Sequence, residues 1–320
     1  MRLPPLILLF AMTVVGRGLE LRSPFPSGGQ AGVLTFLEEN DKFSLDNSDR
    51  YYTQGLRLVV NNENGFYAAL TQEINTPADT THADPAADDL PYSAALYFSY
   101  GQGRVLDRGG RRDCLFVWEL QLGVVGPAAG GPTIQNSIHR LIGVPSTSGW
   151  QTQLPNEPVI NLNLDFRKRF ELDDSRRGLR DLLMRAGAEL GTIRTQFILG
   201  AELRWGVGLE RSWGNTTIRQ SPAYDPVARL RTDWADPAFA AWFFLDAQVE
   251  VVTRNYSTDG SNFRASRGVI RDPIVGQFAL GYSFQFHHFA TTLYTSVRTH
   301  EFAEQQSLHG VGGIKFDFLF

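Results

Sequence analysis

The 320-residue chain sets 30 Lys and Arg against 34 Asp and Glu, and a net charge of −4 gives no reason to expect a nucleic-acid partner. Hydrophobic residues reach 42% and aromatics 12%, yet mean hydropathy is −0.20 and no apolar run beyond the N-terminus is long enough for a transmembrane helix. A helical membrane protein is thereby excluded, and the single Cys114, which reads as a small apolar strand residue, excludes an internal disulfide.

The chain opens with Arg2, an apolar run from Leu3 to Val15, and small residues at Gly16 and Gly18. This is the layout of a secretory signal peptide over 1–18, and Pro4 and Pro5 suit no core helix. The remainder, 19–320, reads as one barrel domain. Its dominant period is two: Ile160, Leu162, Leu164 and Phe166 alternate with Asn161, Asn163, Asp165 and Arg167. The same holds for Phe197, Leu199, Leu203 and Trp205 against Gln196, Glu202 and Arg204, with Ile198 the exception. It holds again for Phe278, Leu280, Tyr282, Phe284 and Phe286 against Gln277, Gly281, Ser283 and Gln285. These runs extend over roughly ten residues, enough for a tilted strand to cross a bilayer, whereas soluble strands usually stop near half that.

In chain order the pattern predicts strands at 33–41, 51–62, 66–76, 93–105, 112–126, 160–172, 182–193, 195–208, 239–255, 274–288, 289–302 and 309–320. About twelve strands, an even number, make an all-β, transmembrane antiparallel β-barrel with both ends on the periplasmic side. Ile314, Phe316, Phe318 and Phe320 share one face of the last strand, and in ending on Phe it resembles the last strand of outer-membrane barrel proteins. Short links at 61–65, 191–194 and 287–289 are expected on the periplasmic side. The long ones (42–50, 77–92, 127–159, 209–238 and 256–273) are expected mostly outside. An interior of this size can be filled by side chains, so the barrel need not conduct.

No GxSxG and no HExxH occurs, which removes a nucleophile elbow and a zincin site. His287-His288 reads as a solvated turn. The polar residues that stand out are Glu39-Asn40-Asp41, Tyr51-Tyr52-Thr53-Gln54-Gly55 and Gln135-Asn136-Ser137-Ile138-His139-Arg140, all near outer ends of strands.

With Asp49-Arg50 ahead of Tyr51, these segments resemble the opening signature of the outer-membrane lipid A 3-O-deacylases. Gln72-Glu73-Ile74-Asn75-Thr76-Pro77, Leu122–Pro127, Gly149-Trp150-Gln151-Thr152-Gln153-Leu154 with Asn156-Glu157, Arg254-Asn255-Tyr256 and Arg298-Thr299-His300-Glu301-Phe302 follow in the same order. The resemblance implies a twelve-stranded barrel that removes the 3′-linked acyloxyacyl chain of lipid A by calcium-dependent ester hydrolysis. It implies an active site that faces the outer leaflet of the bacterial outer membrane. It makes His139 the general base, with Gln135, Thr53 and Gln54 in the catalytic set and Asn40 and Asp41 at the Ca2+ ion. Lipopolysaccharide is then the partner, and a monomer is expected. Imidazole is the side chain that titrates near neutrality, and calcium prefers carboxylate, amide and carbonyl oxygens, so the residue types suit those roles.

Two departures bear on substrate grip rather than bond cleavage. Asp89-Leu90-Pro91-Tyr92 stands where the family tends to carry Asp-Arg-Pro-Tyr, and His82 is the one basic candidate between Thr76 and Tyr92. An acidic residue just after the histidine is also missing, with Val144 and Pro145 in that region. The competing readings are a phospholipase-type barrel hydrolase, which would carry a Ser-Asn pair after a strand histidine, and a non-enzymatic porin or adhesin with a wide polar lumen.

Overall fold

The structure, a computed structural model, describes residues 22–27, 30–44, 50–108, 110–143, 146–173, 179–224 and 239–320. The expected signal peptide lies outside the described residues. Twelve antiparallel strands close on themselves, β12 pairing with β1. They are β1 (Gly32–Asn40), β2 (Tyr51–Asn62), β3 (Phe66–Thr76), β4 (Ser93–Arg108), β5 (Arg111–Val125) and β6 (Glu157–Glu171). The second half is β7 (Arg180–Gly191), β8 (Arg194–Val207), β9 (Phe239–Asn255), β10 (Ile274–Phe286), β11 (Phe289–Arg298) and β12 (His309–Leu319). Among the described residues, two α-helices lie between strands, α1 (Gly131–Ile142) and the single turn α2 (Tyr256–Asp259). No described helix is long and apolar enough to cross a membrane.

The alternation read from the sequence is the alternation of the wall. Phe197, Leu199, Leu203 and Trp205 are exposed on the outside of β8, while Gln196, Glu202 and Arg204 are buried in the lumen. Ile198, the exception, is also inward, across from Gly187 on β7, where the missing side chain leaves it room. Phe318 is exposed and Lys315 and Asp317 are buried. Lumenal charges are paired: Arg194 with Glu73 at 2.7 Å, Arg204 with Asp181 at 2.6 Å, Arg298 with Glu250 at 2.8 Å. A charge out of water needs such a partner. Cys114 is a buried residue of β5, and His287-His288 forms the β10–β11 turn. β11 ends at Arg298 rather than at 302, where Glu301 turns inward to accept from Arg298.

Two connections correct the expected sidedness. The Gly191–Arg194 link joins β7 to β8, and so lies at the end opposite the chain termini. The segment after Val207 joins β8 to β9, and so leaves and rejoins the wall at the terminal end, among the short turns. Its described part, 208–224, enters the lumen. Arg57 of β2 donates to the carbonyls of Thr217, Ile218 and Ser221 at 3.2, 2.7 and 3.2 Å. Arg167 donates to Trp213 O at 2.6 Å, Arg185 to Gln220 O, and Arg204 to Ser212 O and Leu209 O. Glu119 accepts from Ala223 N at 2.7 Å. Trp213, Ala223 and Tyr224 join Val59, Tyr67, Leu115, Val117 and Leu183 in one buried cluster. The interior is therefore filled by backbone as well as by side chains, and wall arginines satisfy the carbonyls that a buried loop would otherwise leave unpaired. In planar bilayers the chain should pass no steady ion current; porin-sized conductance would mean that the segment leaves the lumen.

Candidate active site

The outer ends of β1 and β2 (the end away from the termini) carry four of the six expected site residues. β1 stops at Asn40, paired with Gln54 on β2 and Gly312 on β12, and a 3-10 turn from Asp41 to Phe43 follows. Asn40 caps that turn, its Oδ1 accepting Lys42 N at 2.9 Å. Asp41 is fully buried, with Oδ2 accepting Arg50 N at 2.6 Å and its carbonyl accepting Ser44 N at 3.1 Å.

Across from it, β2 begins with an irregularity. Tyr51 and Tyr52 pair with Thr76 and Asn75, but Gln54 pairs with Ile74, which leaves Thr53 as the extra residue of a β-bulge. The bulge lets Tyr52 point into the lumen, where its hydroxyl donates to Glu39 at 2.7 Å, while Thr53 meets Thr76 through hydroxyls 2.7 Å apart. Tyr51 has φ of +63°, a left-handed conformation that costs a non-glycine residue about 1–3 kcal/mol. It is held there by packing with Leu90 and Phe302, the Phe302 ring edge-on at 5.3 Å. Leu90 thus fills a packing role in place of the arginine of the family pattern.

The other two residues lie on α1. Gly130 and Gly143, both left-handed, bracket the helix, Pro132 sits in its first turn, and Gly143 N returns to His139 O. His139 is therefore a helical residue, not an open-loop one, and it is only 6% exposed. Over residues 131–140 the buried residues of α1 are Gly131, Gln135 and His139, four apart, with Ile134 and Ile138 half-buried beside them. The helix thus turns a polar stripe inward. A side chain at Gly131 would strike Ala94 and Trp150, so the helix starts tight against β4. Ile134 packs on a cluster of Ile74, Ala94, Ala129 and Trp150, which seats α1 on the outside of β3 and β4 beside the bulge. Trp150 Nε1 donates to Gln135 Oε1 at 2.9 Å, and Thr147 Oγ1 adds a bond at 3.3 Å.

Two buried amide groups are conspicuous. Gln135 Nε2 has no hydrogen-bond partner among the described residues, and Gln54 Nε2, beside Glu38, has none of good geometry. A buried donor left open calls for a reason, and a ligand oxygen is one. The oxygens of Asp41, Asn40 and Thr53 suit a hard cation, with one carboxylate and otherwise neutral donors. Among the described residues no group of three His, Cys, Asp or Glu side chains gathers around a metal-sized space. Val144 and Pro145 lie outside the described residues.

Behind the site, the lumen holds residues that the motifs contained without a role, Glu39, Arg298 and Glu301, and others that motif reading missed, Tyr294, Ile218 and Arg219. Glu39 Oε1 accepts from Tyr294 OH at 2.6 Å and from Ile218 N at 3.0 Å. Glu301, in the β11–β12 connection, accepts from both Arg219 and Arg298. Burial alone would raise the Glu301 carboxyl, but the two guanidiniums hold it well below the usual carboxylate range.

The family model described as Outer membrane protein LpxR matches residues 6–320. Among solved structures, LpxR from Salmonella typhimurium superposes with a TM-score of 0.74 at 18% identity, covering 90% of this chain and 100% of that one. The β domain of the Bordetella autotransporter BrkA reaches a TM-score of 0.43 at 12% identity, over 92% and 100% of the two chains. No curated protein sequence matches. The Salmonella structure shares the fold, and the match across nearly the whole length shows that this chain belongs to the LpxR family of outer membrane proteins.

Proposed function

We propose that the chain is a lipid A deacylase that hydrolyses the 3′-linked acyloxyacyl ester, working as a monomer with α1 and the bulge turned to the outer leaflet. The observation that carries this reading is the buried polar stripe of α1, Gln135 and His139, on a helix seated against β3 and β4 at Ile74, the residue that pairs with Gln54 just after the bulge. A site on the outer face at a strand end suits a substrate that lies in the membrane.

In this reading His139 takes a proton from water as the oxygen attacks the ester carbonyl. The sugar C3–O oxygen leaves from the acyl carbon and receives the proton, which gives a free fatty acid and a sugar hydroxyl. Trp150 holds the Gln135 carbonyl, so the Gln135 amide is aimed as a donor. Asp41, with Asn40 and Thr53 beside it, would hold calcium, which when bound supplies Lewis-acid polarisation of the carbonyl. The filled lumen counts against the porin alternative. Mass spectrometry of lipid A from cells expressing the chain tests the reading. Loss of one acyloxyacyl group is expected; unchanged lipid A, or loss of phospholipid chains instead, would overturn it.

A further inference from the structure

Thr53 is weakly held by the sheet. The β1–β2 ladder ends at Asn40 and Gln54, and the β2–β3 ladder skips Thr53. Apart from its hydroxyl contact with Thr76 at 2.7 Å, its position is set by its chain neighbours, and Tyr52 is anchored from inside the barrel. The Tyr52 hydroxyl donates to Glu39, its carbonyl accepts His309 Nε2 at 3.1 Å, and the Arg219 guanidinium stacks over its ring at 5.0 Å. Glu39, the residue before Asn40, is held by the same lumenal segment through Ile218 N.

Arg219 stands at the turn of that segment. It donates to both oxygens of Glu301, at 3.0 and 2.5 Å, and the Arg57 fork on β2 grips the carbonyls of the turn itself. Gly55 leaves the space: a side chain there would overlap the Tyr52 hydroxyl and meet Ile218 Cδ1 at 2.7 Å. Along a strand successive side chains point to opposite faces, so a residue fixed in the lumen fixes its neighbour on the outside.

We propose that Arg219 is a positioning residue for the site: a segment entering from the opposite end of the barrel sets, through Tyr52 and Glu39, where Thr53–Gln54 and Asn40–Asp41 stand. This assignment rests on the deacylase reading above. A group that aligns the site without touching substrate acts on turnover rather than on binding.

The test uses the full chain in detergent with hexa-acylated lipid A. Arg219→Gln should lower kcat about ten- to a hundredfold, the scale of a small misplacement of reacting groups, with KM within about twofold. Arg219→Lys keeps the charge beside Glu301 but lacks the flat fork over Tyr52, and its kcat should fall between. Amide exchange should quicken at 39–44 and 50–55 in Arg219→Gln and stay unchanged in β6 to β8. Wild-type kcat in Arg219→Gln, or a rise in KM alone, overturns the role, even if exchange quickens. If heat-modifiability shows that Arg219→Gln does not fold, Arg219→Lys decides, and wild-type kcat and exchange in that variant overturn it. A wild-type chain inactive on lipid A overturns the deacylase reading itself, a result separate from an active wild type with an equally active variant.

Discussion

Replacing His139 with glutamine should lower lipid A cleavage about a hundred- to ten-thousand-fold, the range for loss of a general base, and leave the barrel closed. Glutamine keeps the size and hydrogen bonding of the imidazole but cannot take a proton near neutrality. The twelve ladders that close the barrel contain no residue of α1, so the fold does not depend on this side chain. His139 is buried, so His139→Ala opens space beneath α1 and costs more than the roughly half a kcal/mol of an exposed loop substitution. That cost is local, because α1 is seated separately by Ile134 and by the bond from Gln72 Nε2 to Ala129 O at 2.7 Å. Rate is read by mass spectrometry of released chains, and folding by heat-modifiability and sheet-dominated circular dichroism. A glutamine variant that keeps more than about a tenth of wild-type cleavage loses less than any general base contributes, and the water-activating role would then be wrong.

The wall of the barrel is legible in the sequence because two solvents write on alternate residues. Phe197 and Leu199 meet lipid while Gln196 and Glu202 meet the polar lumen, and the period of two follows with no further context. The half of the candidate site on β1 and β2 is legible for a related reason, since Asn40-Asp41 and Thr53-Gln54 fall where adjacent strands end. The bulge is not legible: nothing in Tyr51-Tyr52-Thr53 says that the β3 ladder skips one residue or that Tyr51 turns left-handed. α1 is partly legible, from Gly-Pro at its start and from Gln135 and His139 four apart, although a helix that buries its polar stripe defies the apolar rule. The lumenal segment is the largest omission. Trp213 to Tyr224 has the composition of an exposed loop, and only the parity of the strands, which sends the β8–β9 connection to the short-turn end, hints at another fate. What holds it inside is a set of arginines spaced along different strands, Arg57, Arg167, Arg185 and Arg204, whose convergence is a property of the closed sheet.

Excess chelator should reduce turnover to background, calcium should restore it, and Asp41→Asn should raise the calcium concentration required by more than about a hundredfold. A hundredfold is the upper end of what losing an outer-sphere partner costs, so a direct ligand should exceed it. Asp41 is the carboxylate suited to the task. Its neighbour Glu39 faces the lumen and is taken up by Tyr52, Tyr294 and Ile218 N, whereas Asp41 lies past the end of the β1 ladder. Asparagine keeps an oxygen to accept Arg50 N, so the turn from Asp41 to Phe43 should survive while the charge is lost. Calcium affinity is tuned by the number of charged ligands, and in the proposed site, where Asn40 and Thr53 would add only neutral oxygens, removing one charge should remove most of the attraction. Isothermal titration with calcium, in the absence of substrate, separates binding from catalysis. If Asp41→Asn binds calcium as tightly as wild type, the ion sits elsewhere; if the chelated wild-type chain turns over fully, no ion takes part, and the case for His139 must stand on the glutamine variant alone.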